Sequence, residues 1–141
     1  MRRMTDHEVR EFLSEGTRTG KLATVRADGR PHVAPIWFVL DGDEVVFTTG
    51  GDTVKGANLD REGRAALAVD LEEPPYAFVT VEGAVAISED PGEMLFFATR
   101  IGGRYMGADR AEEYGRRNAV EGEWLVRLRF DRVIGLTGIS D

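Results

Sequence analysis

The sequence predicts a mainly β domain, a small antiparallel β-barrel with short helices. Three observations carry this expectation. Apolar or alternating runs of strand length recur along the chain, tight Asp-Gly turns join the early ones, and helix signals are confined to short stretches between them. Closely spaced hairpins of this kind favour a small antiparallel barrel over a sandwich. The 141 residues suit one domain, residues 1–141, large enough to bury a real core.

Each element has a local reason. Thr5-x-x-Glu8 is a capping-box pattern ahead of Val9, Phe12 and Leu13, so a helix covers roughly Asp6 to Glu15, ended by Gly16 and Gly20. Lys21 to Arg26 reads as a strand, and Ala27-Asp28-Gly29-Arg30 as a tight hairpin. The partner strand, His32 to Leu40, is apolar at nearly every position, as expected of a strand covered on both faces, and Pro35 predicts a break in its ladder. A turn at Asp41-Gly42-Asp43 leads to a strand over Glu44 to Thr49, then a short helix from Thr53 to Asp60. Arg64 to Asp70 and Ala77 to Ser88 are strands separated by Pro74-Pro75. Asp90-Pro91 starts a helix with Met94, Phe97, Ala98, Ile101 and Tyr105 at helical spacing. A polar helix from Asp109 to about Asn118 precedes two closing strands, Glu123 to Phe130 and Val133 to Gly138.

Composition narrows the function. The net charge of −7, from 25 acidic and 18 basic residues, argues against a nucleic-acid partner. No apolar run is long enough for a membrane span, and the start lacks the apolar core of a signal peptide. Zero cysteines exclude disulfides and thiolate metal sites and fit a cytoplasmic protein. The two histidines, His7 and His32, are too few and too separated for a histidine metal site, so no metal is expected. No G-x-S-x-G turn and no Ser-His-Asp order supports a hydrolase.

The most informative stretch is Ile36 to Asn58. Two strands deliver Gly50-Gly51, a hydroxyl at Thr53 and an ammonium at Lys55 to a helix start, with Asn58 three residues further along the same face. Glycines admit positive φ and a close anion, and a helix start offers free N–H groups and the positive end of a dipole. The pattern reads as a phosphate cradle, and so as a nucleotide-like cofactor used in redox chemistry. A capped surface helix with a solvated lysine would read the same way.

These landmarks together resemble the split β-barrel flavin and deazaflavin oxidoreductases, the superfamily of pyridoxamine 5′-phosphate oxidase. The resemblance rests on Gly20-Lys21-Leu22-Ala23-Thr24-Val25 with the Asp28-Gly29 turn, Pro35-Ile36-Trp37-Phe38 with Asp41-Gly42, Thr49, and Lys55-Gly56-Ala57-Asn58-Leu59. It continues through Pro75-Tyr76-Ala77-Phe78-Val79-x-Val81-x-Gly83 to Arg104-Tyr105-Met106-Gly107. The branch it is most similar to uses the deazaflavin coenzyme F420. The resemblance implies a six- to seven-stranded antiparallel split β-barrel, FMN-binding-protein-like, that dimerises with cofactor grooves between subunits. It implies hydride transfer from the reduced deazaflavin to a small electron-poor acceptor such as an unsaturated lactone, a quinone or a linear tetrapyrrole.

On that resemblance the cofactor residues are Pro35, Ile36 and Trp37 along the ring, Thr49, Thr53, Lys55 and Asn58 toward the phosphate, and Tyr76. Tyr76 either caps the core or reaches the neighbouring subunit's cofactor. Arg104 and Arg127 either pair with surface carboxylates or meet the cofactor's acidic tail. No catalytic side chain is assigned. FMN is the alternative cofactor, weakened because only Arg61 and Arg64 lie near the phosphate segment. A non-catalytic flavin- or haem-binding protein is the alternative class, with His32 the candidate axial ligand.

Overall fold

A computed structural model describes residues 1–141. In chain order the elements are β1 (Arg2–Arg3), α1 (Asp6–Ser14), β2 (Gly20–Val25), β3 (Pro31–Ile36), β4 (Val39–Asp41), β5 (Glu44–Gly50) and α2 (Val54–Glu62). Then follow β6 (Arg64–Leu71), β7 (Ala77–Ser88), α3 (Pro91–Met106), α4 (Ala111–Asn118), β8 (Glu123–Arg129) and β9 (Arg132–Thr137).

All strands join one antiparallel sheet in the order β3-β2-β6-β7-β8-β5-β4, with β9 on β7 and β1 on β9. The sheet curls into a half-barrel because β3 and β4, its two ends, are consecutive in the chain and linked only by Trp37 and Phe38. β8 and β9 run in line along one edge of β7. One extra residue on their side lies between the pairs Val85↔Leu128 and Glu82↔Arg132, which is a β-bulge. The bulge frees β8 to pair with β5 along its whole length while β9 stays on β7.

The core has two parts. Inside the barrel, Phe12 and Leu13 of α1 pack with Leu22, Phe38, Phe47, Leu59, Leu67, Val79 and Leu128. On the opposite face of β4, β5 and β8, Met94, Phe97 and Ile101 of α3 cover Val39, Val46 and Leu125. β5 is therefore buried on both faces, as is the middle of β8: Val45, Val46 and Phe47, and Leu125 and Val126, are all fully buried.

That corrects one expectation. The His32–Leu40 run is not one doubly covered strand. β3 pairs with β2 alone and is a sheet edge, with Val33 68% exposed. Pro35 does not interrupt its pairing with Lys21, since an edge strand needs N–H groups on one side only. The ladder breaks two residues later, at Trp37–Phe38. α1 has the expected capping box, with Glu8 N–H donating to Thr5 Oγ1 at 3.1 Å and Thr5 N–H to Glu8 Oε1 at 2.9 Å.

Candidate cofactor site

β5 ends at Gly50, paired with Glu123 of β8, and Gly51 N–H donates to Gly122 O at 2.9 Å. Thr53 caps α2. Its hydroxyl donates to Gly50 O at 2.8 Å and accepts Gly56 N–H at 2.9 Å. With that proton engaged, the Thr49 hydroxyl, 3.3 Å away, is the donor between the two threonines. Intrahelical bonding begins with Ala57 N–H on Thr53 O. The earlier N–H groups of Val54 and Lys55 are the ones a helix start leaves for another acceptor.

The glycines serve close approach rather than positive φ, which neither Gly50 nor Gly51 adopts. A Cβ on Gly51 would lie 2.6 Å from the Trp124 indole, and one on Gly56 would run into the Gly50 carbonyl oxygen. This packing draws the α2 start against the end of β5. The expected φ-based role for these glycines is thus replaced by a steric one.

Lys55 stands in the first turn of α2, half-buried. Burial lowers its pKa, and the Glu123 carboxylate acts in the opposite direction. The chain's other lysine, Lys21, is bonded to Asp70 at 3.1 Å, whereas Lys55 enters no ion pair.

Asn58 does not join Lys55 at the cradle. It is 3% exposed, its Nδ2 donates to Thr24 Oγ1 at 3.0 Å, and its Oδ1 accepts from Arg61 at 3.1 Å. The apolar wall of the barrel requires that its amide be satisfied internally. Thr53 likewise shapes the cradle instead of lending it a free hydroxyl, and Thr49, 4% exposed, braces Thr53 from below.

The strand break holds the other half. The Ile36 side chain is in the core, and Pro35 lies on the open edge of β3. Because β3 lacks a second neighbour, part of its main chain is available to a ligand. Trp37 is 38% exposed, not a core residue, and stacks on Tyr105 with centroids 5.0 Å apart and 3° between planes. Tyr114 leans on it at 6.4 Å. Tyr105 is fixed in turn. Its hydroxyl donates to Arg18 O at 2.9 Å and accepts Phe38 N–H at 3.3 Å, and burial raises its pKa. Sequence reasoning named Tyr105 only as a helix landmark and missed Tyr114 and Glu123. Helical spacing places Tyr105 and Tyr114 on helix faces but does not disclose what they meet.

The remaining expectations resolve differently. Arg104 donates to the carbonyls of Phe38 at 2.7 Å, Leu13 at 2.8 Å and Gly16 at 3.0 Å. Arg127 is held by Asp41, Glu44 and Glu93, which raise its pKa. Arg127 thus pairs with carboxylates, the first of its two expected roles, whereas Arg104 bonds main-chain carbonyls and no carboxylate. Tyr76, at φ 60° and 42% exposed, has its main chain tied to Glu73 and Ile139. No hydrogen bond or aromatic pair joins its ring to either half of the site in the protomer. His32 sits beside Thr24 in the β2–β3 register, with Nδ1 buried and unpartnered.

Comparison with known proteins finds relatives over nearly the whole chain. The F420H(2)-dependent biliverdin reductase of Mycobacterium tuberculosis (strain CDC 1551 / Oshkosh) is 30% identical over 133 residues, covering 92% of this chain and 87% of its own. Among solved structures, a conserved hypothetical protein of Mycobacterium tuberculosis superposes with a TM-score of 0.85 at 26% identity, over 97% of this chain and 87% of the other. An F420 reductase superposes with a TM-score of 0.68 at 29% identity, over 87% and 94%. The family model for pyridoxamine 5′-phosphate oxidase matches residues 5–134, from the α1 cap through the cradle and the strand break to β9. With the half-barrel and both halves of the site inside that span, the chain belongs to the pyridoxamine 5′-phosphate oxidase family.

Proposed function

We propose that the protein is an F420-dependent oxidoreductase that reduces a small electron-poor organic acceptor of the enone, lactone, quinone or tetrapyrrole type. The observation that carries this reading is Lys55, a half-buried ammonium in no ion pair, set in the first turn of α2 where glycines let that turn pack closely on the end of β5. A half-buried cation without a bonded counter-charge suits an anionic group arriving from outside. The N–H groups of Val54 and Lys55 at the start of α2, beside that ammonium, offer donors to a phosphate, so the residues present fit the cofactor. The F420-linked relatives support the deazaflavin.

In this reading Lys55 and the N–H groups of Val54 and Lys55 hold the phosphate, by charge and by the helix dipole. The free main-chain edge at Pro35, Ile36 and Trp37 runs along the ring. The bound reduced deazaflavin supplies a hydride from its C5 carbon. The protein's part is orientation: the Tyr105 stack and the Arg104 bond to the Phe38 carbonyl fix the strand break, so ring and acceptor meet in one geometry.

The reading includes a homodimer. The outer face of β2, β3, β6, β7 and β9 is covered by nothing in the protomer. It carries a shallow groove of about 420 Å³ in which Ala23, Val33, Ala66, Ala68 and Ile134 are bordered by the charged Lys21, Glu82 and Arg132. A sheet face with an apolar centre and a charged border suits a second copy of the chain.

Fluorescence titration of the purified protein with F420 and with FMN tests the reading. Micromolar F420 binding is expected, weakened about 10- to 100-fold in Lys55→Ala, the range for loss of one charge-assisted contact. Tight FMN binding with no F420 binding would overturn it.

A further inference from the structure

The cradle places one cation against two carboxylates. Glu123 faces Gly50 across the β5–β8 ladder. A Cβ built on Gly50 would lie 3.0 Å from Asp52 Oδ1 and 3.5 Å from Glu123 Oε1, so both carboxylates border the same small space. Burial pushes the Glu123 carboxyl above its ordinary range, Lys55 pulls it back, and Asp52 pushes it further. No second cation reinforces Lys55. The nearest arginine in sequence, Arg61, is committed to Asn58 Oδ1, the Val25 carbonyl and Glu62.

Such a balance treats phosphates unequally. A phosphomonoester carries about −1.5 to −2 charges near neutrality because its second ionisation falls near pH 6. A phosphodiester lacks that second ionisation and carries one charge. Lys55 and the helix start neutralise one negative charge; a second meets Asp52 and Glu123.

We propose that Asp52 and Glu123, flanking Lys55, make this cradle selective for a cofactor whose phosphate is a diester and against one ending in a phosphomonoester. The inference rests on the deazaflavin reading, since F420 carries its phosphate as a diester to an acidic tail whereas FMN ends in a monoester. It assigns the cofactor choice to two side chains that lie outside the cation and helix start that attract the phosphate.

The test uses three ligands with one ring: F420, the deazaflavin 5′-phosphate, and the methyl diester of that phosphate. Each is titrated by fluorescence into the unliganded protein at about pH 8, above the second phosphate ionisation. The methyl diester is expected to bind about tenfold more tightly than the monoester, the Coulomb effect of one added charge several ångströms from a carboxylate at a partly hydrated surface. In the Asp52→Asn, Glu123→Gln double variant the gap is expected to close to about threefold or less. The wild-type comparison holds whether or not that variant folds. Equal affinity of the two esters for the wild type would overturn the proposal and leave the deazaflavin reading intact. So would a gap that a folded double variant preserves. Failure of F420 itself to bind would overturn both.

Discussion

Arg104 connects three segments far apart in sequence: the end of α1 through Leu13, the following turn through Gly16, and the strand break through Phe38. Its guanidinium also lies 4.7 Å from the centre of the Phe38 ring. Replacing it strands carbonyls that face a part-buried space. Arg104→Ala is expected to lower stability by about 2–4 kcal/mol, read from urea unfolding, because several charge-assisted bonds fail together. Arg104→Lys should recover only part of this, since one ammonium cannot reproduce the planar fork. A loss below about 0.5 kcal/mol in Arg104→Ala, the scale of an ordinary surface change, would contradict the structural role. At this scale the sequence was half legible. Lys55 and Trp37 stood out by type and context, whereas the inward turn of Asn58 depends on Thr24 and Arg61, which only the folded chain brings together.

Among the elements, α1 and α2 show local rules agreeing and competing with tertiary ones. The α1 capping box is fully formed, and Thr5→Ala is expected to cost about 1 kcal/mol in chemical denaturation. Hydrogen bonds from Arg2 and the Thr5 backbone hold the Glu8 carboxyl at about 2, below its ordinary value near 4.5. The folded state thus binds fewer protons than the unfolded one between those values. The contribution of Glu8 is present above about pH 4.5 and is lost as the pH falls through 2. The stability difference between wild type and Glu8→Gln is expected to shrink over that window, and a constant difference down to pH 2 would refute it. In α2 the forces oppose. Gly56→Ala raises helix propensity by about 1 kcal/mol, yet its Cβ would collide with the Gly50 carbonyl. Net destabilisation is expected, because backbone cannot yield as a flexible side chain does, together with weaker F420 binding. A more stable variant would show that the helix shifts freely.

For the whole molecule the decisive measurement is mass in solution. Sedimentation is expected to give twice the 15.6 kDa of the chain. Val33→Glu on the open face should shift the protein toward monomer without unfolding it, since Val33 is already 68% exposed in the protomer. A stable dimer of this kind would bury about 1,200–2,000 Å². A wild-type monomer that binds F420 would remove the dimer from the reading. The sequence by itself determined the antiparallel barrel class, most element boundaries, and the place of Lys55 in the first turn of a helix behind β5. These rest on alternation, turn chemistry and capping, which act over a few residues. Only the tertiary structure decided that β5 and not β3 is buried on both faces, that Asn58 points inward, that Arg104 bonds main-chain carbonyls and Arg127 three carboxylates, and that Glu123 faces Gly50. Each of those depends on pairings between residues distant in the chain, such as Gly50 with Glu123, and a register across a sheet leaves no trace in local spacing.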